Sequence, residues 1–196
     1  MAVHRPLLVV LAGPNGAGKS TAAPFLLQGA LAVHEFVNAD TLAAGLSAFR
    51  PDSAALAAGR IMLGRIKELA TLRVDFAFET TLASRSFVPW LRAQREAGYR
   101  THLAFLSLRN ADLAVARVAE RVRQGGHDVP EDVVRRRFKA GLINLLTIYP
   151  PVLDTWQVFD NSAVRAPRLI ASSHAPDART SLDASAWNNL LEQERS

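Results

Sequence analysis

Eight consecutive residues, Gly13-Pro14-Asn15-Gly16-Ala17-Gly18-Lys19-Ser20, constrain this chain more than any other segment. They satisfy the P-loop pattern G-x-x-x-x-G-K-[ST] at every fixed position. The preceding residues, Pro6-Leu7-Leu8-Val9-Val10-Leu11-Ala12, form a short unbroken apolar run, which suits a parallel strand buried on both faces. The residues after Lys19, Ser20-Thr21-Ala22-Ala23, suit a first helical turn. Glycines at 13, 16 and 18 let the backbone close around a phosphate, with backbone N–H groups and the helix N-terminus aimed at the anion. Lys19 is placed to reach the β- and γ-phosphates of ATP, and the Ser20 hydroxyl to ligate Mg²⁺. Pro14, Asn15, Ala17 and Thr21 complete the expected ATP-binding stretch. Lysine occurs only at 19, 67 and 139 among 23 basic residues, so a lysine at the P-loop position runs against the chain's own usage.

The rest of the chain reads as alternating strands and helices, which predicts a parallel sheet. Strands are expected at 33–38, 74–78, 100–108, 156–159 and 168–171. Helices are expected from the P-loop to about 28, from Pro51 to about 71, and over 87–97. Further helices are expected from Asn110 to about 123, from Glu131 to about 146, and over about 182–194. Gly98 stops the helix before it, and Asn110 caps the one after it. Gln124 to Pro130 reads as a flexible polar loop, and 172–181 as loop. The fold class is therefore α/β: a P-loop kinase-like doubly wound parallel sheet, helices on both faces and a small helical lid. A single domain over 1–196 is expected, with the lid at about 111–146.

With no cysteine, the chain forms no disulfide and no thiolate metal site. Its apolar runs are too short to span a membrane. A cleaved signal peptide would remove the P-loop, so a cytoplasmic protein is expected. The net charge of +5 is spread over most of the chain and mixed with acids. A nucleic-acid binder would instead gather it on one face with aromatics between.

In doubly wound sheets ligands bind beyond the carboxyl ends of the strands. Four polar clusters fall at such ends: the P-loop, Asn38-Ala39-Asp40, Glu79-Thr80-Thr81 and Asp160-Asn161-Ser162. Asp40 follows a strand expected to neighbour the P-loop strand. It is either the general base that accepts the proton of an attacking hydroxyl or the N-cap of a helix starting at Thr41. Glu79 is a carboxylate for water-held Mg²⁺, a contact for substrate hydroxyls, or a solvated turn residue, and Thr80 adds a donor beside it. Arg117 and Arg121 share one helix face and are either lid arginines closing over phosphates or a solvated face. His127 is a candidate phosphate contact. Arg135, Arg136 and Arg137 cannot all face one way on a helix, so one or two can reach substrate. The triplet at 160–162 either lies near the nucleotide base or forms a turn, and the turn is favoured.

Taken together, Gly13 to Thr21, Asn38-Ala39-Asp40, Phe78-Glu79-Thr80-Thr81 and Gly125-Gly126-His127-x-Val129-Pro130 resemble the zeta toxin family of P-loop kinases, in its short-chain branch. The resemblance runs from about residue 6 to 162. It implies ATP–Mg²⁺ as phosphoryl donor and UDP-N-acetylglucosamine as acceptor, with a small antitoxin protein as partner. By matching motifs it implies phosphate binding by Lys19, Asp40 as base, substrate contact by Glu79, and Arg121 as the phosphate-stabilising arginine. Longer family members carry a second arginine near the lid, where this chain has Gly125-Gly126-His127. The expected activity is phosphorylation of a hydroxyl on a small metabolite. A polynucleotide or nucleoside kinase and a non-catalytic ATP-switched binding module are the alternatives.

Overall fold

The computed structural model describes residues 5–47, 51–126, 128–163, 166–174 and 179–195. The apolar run before the P-loop forms strand β1, Leu7–Ala12. Leu8 to Ala12 are all fully buried. Successive strand side chains point to opposite faces, so both faces of the sheet are covered at this strand. The helix after the loop, α1 (Lys19–Ala23), runs directly into a π-helical stretch, Pro24–Ala30.

The remaining elements, in chain order, are β2 (Glu35–Val37), α2 (Ala39–Leu46), α3 (Pro51–Leu72), β3 (Phe76–Thr80) and α4 (Phe87–Glu96). They continue with β4 (Arg100–Ser107), α5 (Ala111–Arg123), α6 (Glu131–Thr147), β5 (Thr155–Asp160), β6 (Arg168–Ser173), β7 (Arg179–Ser181) and α7 (Ala184–Arg195). Among the described residues the sheet has seven strands in the order β2-β3-β1-β4-β5-β6-β7. Strands β1 to β5 pair in parallel, whereas β6 and β7 are antiparallel. This is the P-loop kinase-like α/β fold. No helix among the described residues is long and apolar enough to cross a membrane.

Three expectations need correction. Strand β2 does not adjoin β1: β3 and β4 occupy both edges of β1, so β2 pairs with β3. The third strand lies two residues later than expected. The Asp75 carboxylate accepts from the Leu7 amide at 2.7 Å, and the ladder begins after it. Residues 172–181 are not all loop, because β6 runs to Ser173 and β7 covers 179–181. These last two strands are antiparallel because the links before them, 161–167 and 174–178, are too short for the crossover a parallel pair needs. The expected loop after α5 does fall between Arg123 and Glu131, and it opens on a closed helix end. The Gly126 amide donates to the Arg121 carbonyl and that of Gly125 to Val122, both at 2.9 Å, which is the paired closure of a Schellman motif.

One large apolar cluster runs through the sheet from Leu8 to Leu190. Within it lies His102 of β4, 7% exposed. Its Nδ1 lies 2.8 Å from the Thr155 hydroxyl, and among the described residues no hydrogen-bond partner reaches Nε2. Burial lowers its pKa from 6.5 to about 4, and the charge of His174 adds to the effect. Between those values the unfolded chain binds the proton and the folded chain does not. Stability is therefore full above pH 6.5 and falls as pH drops to 4, by about 3 kcal/mol. Thermal melts from pH 7 to pH 4 should show a loss of Tm that is smaller in His102→Gln by roughly 6–12 °C. Equal acid sensitivity of the two proteins would remove His102 as its source.

Candidate active site

The P-loop is packed from three sides. A Cβ on Gly13, where φ is 146°, would lie 2.4 Å from the Leu106 carbonyl oxygen at the end of β4. A Cβ on Gly16 would lie 2.7 Å from the Ala114 carbonyl oxygen of α5. From β5, the Asn161 amide nitrogen donates to the Ala17 carbonyl at 2.8 Å. The Gly13→Ala substitution combines a left-handed backbone with a backbone clash, and should cost about 3 kcal/mol or more. That corresponds to a loss of roughly 6–12 °C in Tm. A melt within 2 °C of wild type would show that the loop can shift.

Lys19 is 7% exposed, and its ammonium donates to the Gly13 carbonyl at 2.9 Å and the Pro14 carbonyl at 3.1 Å. Glu79 Oε1 lies 3.5 Å from the same nitrogen. Burial pulls the Lys19 pKa below the usual lysine value, against the opposing pull of the Glu79 and Asp40 carboxylates. The other oxygen, Glu79 Oε2, accepts from Ser20 Oγ at 3.1 Å and Asn38 Nδ2 at 2.7 Å. Parallel pairing of β3 with β1 sets Glu79 level with Leu11, so its side chain emerges beside the loop.

Ser20 and Glu79 thus offer adjacent oxygens of the kind a hard divalent cation prefers. Among the described residues no three His, Cys, Asp or Glu side chains form a metal cage. That donor set fits Mg²⁺, which is usually held by one or two protein oxygens together with phosphate oxygens. Asn15, whose buried Oδ1 has no partner among the described residues, also lines the cleft.

The cleft over the loop has a volume of about 770 Å³. It gathers Asn15, Gly16, Gly18, Lys19, Ser20, Thr21, Asp40, Glu79, Thr80, Arg117 and Arg121, residues dispersed over more than a hundred positions of sequence. Asp40 lies exposed in the first turn of α2 and does not cap it. The helix begins at Ala39, and Asn38 Oδ1 accepts from the Asp40 amide at 2.7 Å and the Thr41 amide at 3.3 Å. Thr80 Oγ1 accepts from the Leu82 amide at 3.1 Å and so holds its own turn.

The two arginines expected to form a lid diverge. Arg117 is committed to the chain: Nη1 donates to the Asn161 carbonyl at 2.8 Å and Nη2 to that of Ser162 at 3.0 Å. Arg121, one turn on and half-buried, lies close enough to Lys19 for their charges to interact. Of the three consecutive arginines, Arg136 and Arg137 line the cleft. Arg135 instead pairs with Glu131 and with Asp112 at 2.7 Å. Helix α6 is fastened to the far wall of the cleft, where Asn144 Nδ2 donates to the Leu82 carbonyl at 2.9 Å and Tyr149 Oη to that of Ser84 at 2.5 Å. Burial pushes the Tyr149 hydroxyl pKa up to about 12. The expected His127 contact lies outside the described residues.

Asn38 and Asn161 were legible only as members of polar triplets at strand ends. Asn161 is more than the expected turn residue, because it holds the P-loop itself.

Residues 8–143, containing the loop, Asp40, Glu79 and both lid arginines, match the model of the AAA_33 family, described as an AAA domain. The chain belongs to this AAA domain family. An uncharacterized protein of Haemophilus influenzae is 30% identical to this AAA domain over 126 residues, 64% of this chain and 88% of that protein. In structure it is similar to a chain of the AvrRxo1-ORF1:-ORF2 complex with ATP, with a TM-score of 0.75 and 15% identity. That match covers 96% of this chain but 64% of the other, so the AAA domain spans less than two thirds of its neighbour. A chain of the PezAT chromosomal toxin–antitoxin system of Streptococcus pneumoniae gives a TM-score of 0.64 at 13% identity, covering 100% and 87% of the two chains. A gluconokinase of Sinorhizobium meliloti gives 0.52 at 16%, covering 98% and 96%. At these identities the likenesses establish the fold, which toxin–antitoxin and small-molecule kinase proteins share.

Proposed function

We propose that this protein is an ATP-dependent phosphotransferase acting on a hydroxyl of a small metabolite, with a nucleotide sugar such as UDP-N-acetylglucosamine as the leading acceptor. The observation that carries the reading is the meeting of Lys19, Ser20, Glu79 and Asp40 in one cleft. Lys19 and the loop amides hold the donor phosphates, while Arg121 faces the negative charge that develops during transfer. Ser20 and Glu79 would hold Mg²⁺, which supplies charge neutralisation at the phosphate oxygens when bound. Asp40 orients the acceptor hydroxyl and takes its proton. The hydroxyl oxygen forms the new bond to the γ-phosphorus as the bond to the β,γ-bridging oxygen breaks, and ADP leaves with that electron pair. Arg136 and Arg137 present cationic groups on the acceptor side of the cleft.

The zeta-toxin-like motifs, together with neighbours solved as complexes from toxin–antitoxin or paired-gene systems, also support an antitoxin protein as a candidate partner. On this reading a single kinase-like unit works in the cytoplasm, where its donor is made.

Incubation with γ-labelled ATP and Mg²⁺, with and without UDP-N-acetylglucosamine, tests the proposal. Label on the nucleotide sugar supports donor and acceptor together. A folded protein that binds ATP but labels only water, or nothing, removes this acceptor and shifts the test to other sugars and nucleosides.

A further inference from the structure

We propose that Asn38 is a positioning residue: its one amide couples the phosphate side of the cleft to the helix that carries Asp40. The inference rests on the phosphotransferase reading above. Asn38 is 7% exposed, and both ends of its amide are engaged. Oδ1 accepts from the Asp40 and Thr41 amides. Nδ2 donates to Glu79 Oε2 at 2.7 Å and to Ser20 Oγ at 3.2 Å. The orientation is chemically determined, since backbone N–H groups need an acceptor and a carboxylate needs a donor. A rigid planar group therefore ties the first turn of α2 to the two residues that would hold the cation on that reading.

Apolar packing also holds that turn, where Ala39 and Leu42 rest against the main core. Ala43 is the buried residue of α2. It sits in a small cluster with Ala54 and Ala58 of α3, apart from the main core. Asp40 itself is exposed and receives no hydrogen bond on its carboxylate among the described contacts. Among the polar contacts, the position of the base is thus set through its backbone, by the residue two places before it. Nucleotide binding that draws Ser20 and Glu79 toward the phosphates pulls on Nδ2, and the same amide moves or stiffens the start of α2. In this way occupancy of the donor site is transmitted to the acceptor base.

Three variants separate this role from helix capping. Asn38→Ser keeps a good N-cap acceptor but cannot reach Glu79. Asn38→Asp keeps the cap and the outline but sets a carboxylate against Glu79. Asn38→Asp with Glu79→Gln restores the hydrogen bond with its polarity reversed.

The first readout is backbone hydrogen exchange at residues 39–42, with and without saturating AMP-PNP and Mg²⁺. The wild type should slow at least threefold on binding. Asn38→Ser should bind the analogue within threefold of wild type, melt within 3 °C of it, and show no slowing. With UDP-N-acetylglucosamine as acceptor, its kcat should fall at least tenfold while the KM for ATP stays within threefold. Asn38→Asp should lower Tm, and the added Glu79→Gln should recover most of the loss.

Retained slowing in Asn38→Ser, or a loss confined to Tm, would overturn the proposal and leave Asn38 as a cap alone. If the wild type binds AMP-PNP but transfers phosphate to no acceptor, the kinase reading fails while the exchange and melting measurements still decide the coupling. A wild type that binds no nucleotide overturns both.

Discussion

Lys19→Ala should lower kcat/KM for phosphoryl transfer by about 10³-fold or more, the scale set by removing a preorganised charge from a transferring phosphoryl group. The geometry explains why so much depends on one side chain. The ammonium is nearly buried and held by the Gly13 and Pro14 carbonyls, so it is placed before any substrate arrives. It is also the counter-charge of Glu79 at 3.5 Å. Removing it leaves a carboxylate facing phosphates without compensation, which adds repulsion to lost attraction. ATP affinity should fall with the rate. Tm should change by only a few degrees, because Glu79 keeps its hydrogen bonds from Ser20 and Asn38. Lys19→Arg should not rescue activity, since a planar guanidinium does not fill the place of a compact ammonium between two carbonyls. Label transfer and calorimetric ATP binding measure both effects. Transfer within tenfold of wild type in a folded Lys19→Ala would remove the P-loop lysine from the mechanism.

Asp40→Asn should reduce kcat by roughly 10²- to 10⁴-fold, the usual value of a positioned general base, while ATP affinity stays within threefold. The structure makes this a clean substitution. Asn38 caps α2, so Asp40 has no cap to lose. Replacing its charge in the first helical turn should cost about 0.3–1 kcal/mol from the helix dipole, a small change in Tm. Single-turnover label transfer beside calorimetric ATP binding gives the result directly. Unimpaired transfer would exclude Asp40 as base, and loss of ATP binding would instead make it part of the donor site.

The parts of the fold that could be read from sequence are those where local pattern and tertiary role coincide. Strand β1 is buried on both faces, so its apolar run is continuous and its loop follows a fixed spacing. Glu79 lies at a strand end, where polar residues after an apolar run stand out. Strand β7, Arg179-Thr180-Ser181, has no apolar residue to mark it, and backbone pairing with β6 alone makes it a strand. The place of β2 beside β3 rather than β1 is a matter of which edge is free, and three residues carry no trace of that.

The site divides in the same way. Arg117 and Arg121 look equivalent on a helix face, yet Arg117 is spent on carbonyls 44 and 45 residues away, a partnership no local pattern contains. The capping position was missed by a short shift: the helix starts at Ala39, two residues before the expected Thr41, and capping falls to Asn38 rather than to Asp40. The same residue's bond to Glu79 joins elements 41 positions apart.

The bond from Asn161 to the Ala17 carbonyl spans 144 residues. During synthesis the whole P-loop motif leaves the ribosome long before the side chain that holds it. At about 5–20 residues per second, that interval is roughly 7–29 s. A nascent chain carrying the complete motif therefore lacks the amide that holds the Ala17 carbonyl. The loop gains its support from this side only after most of the molecule has been made.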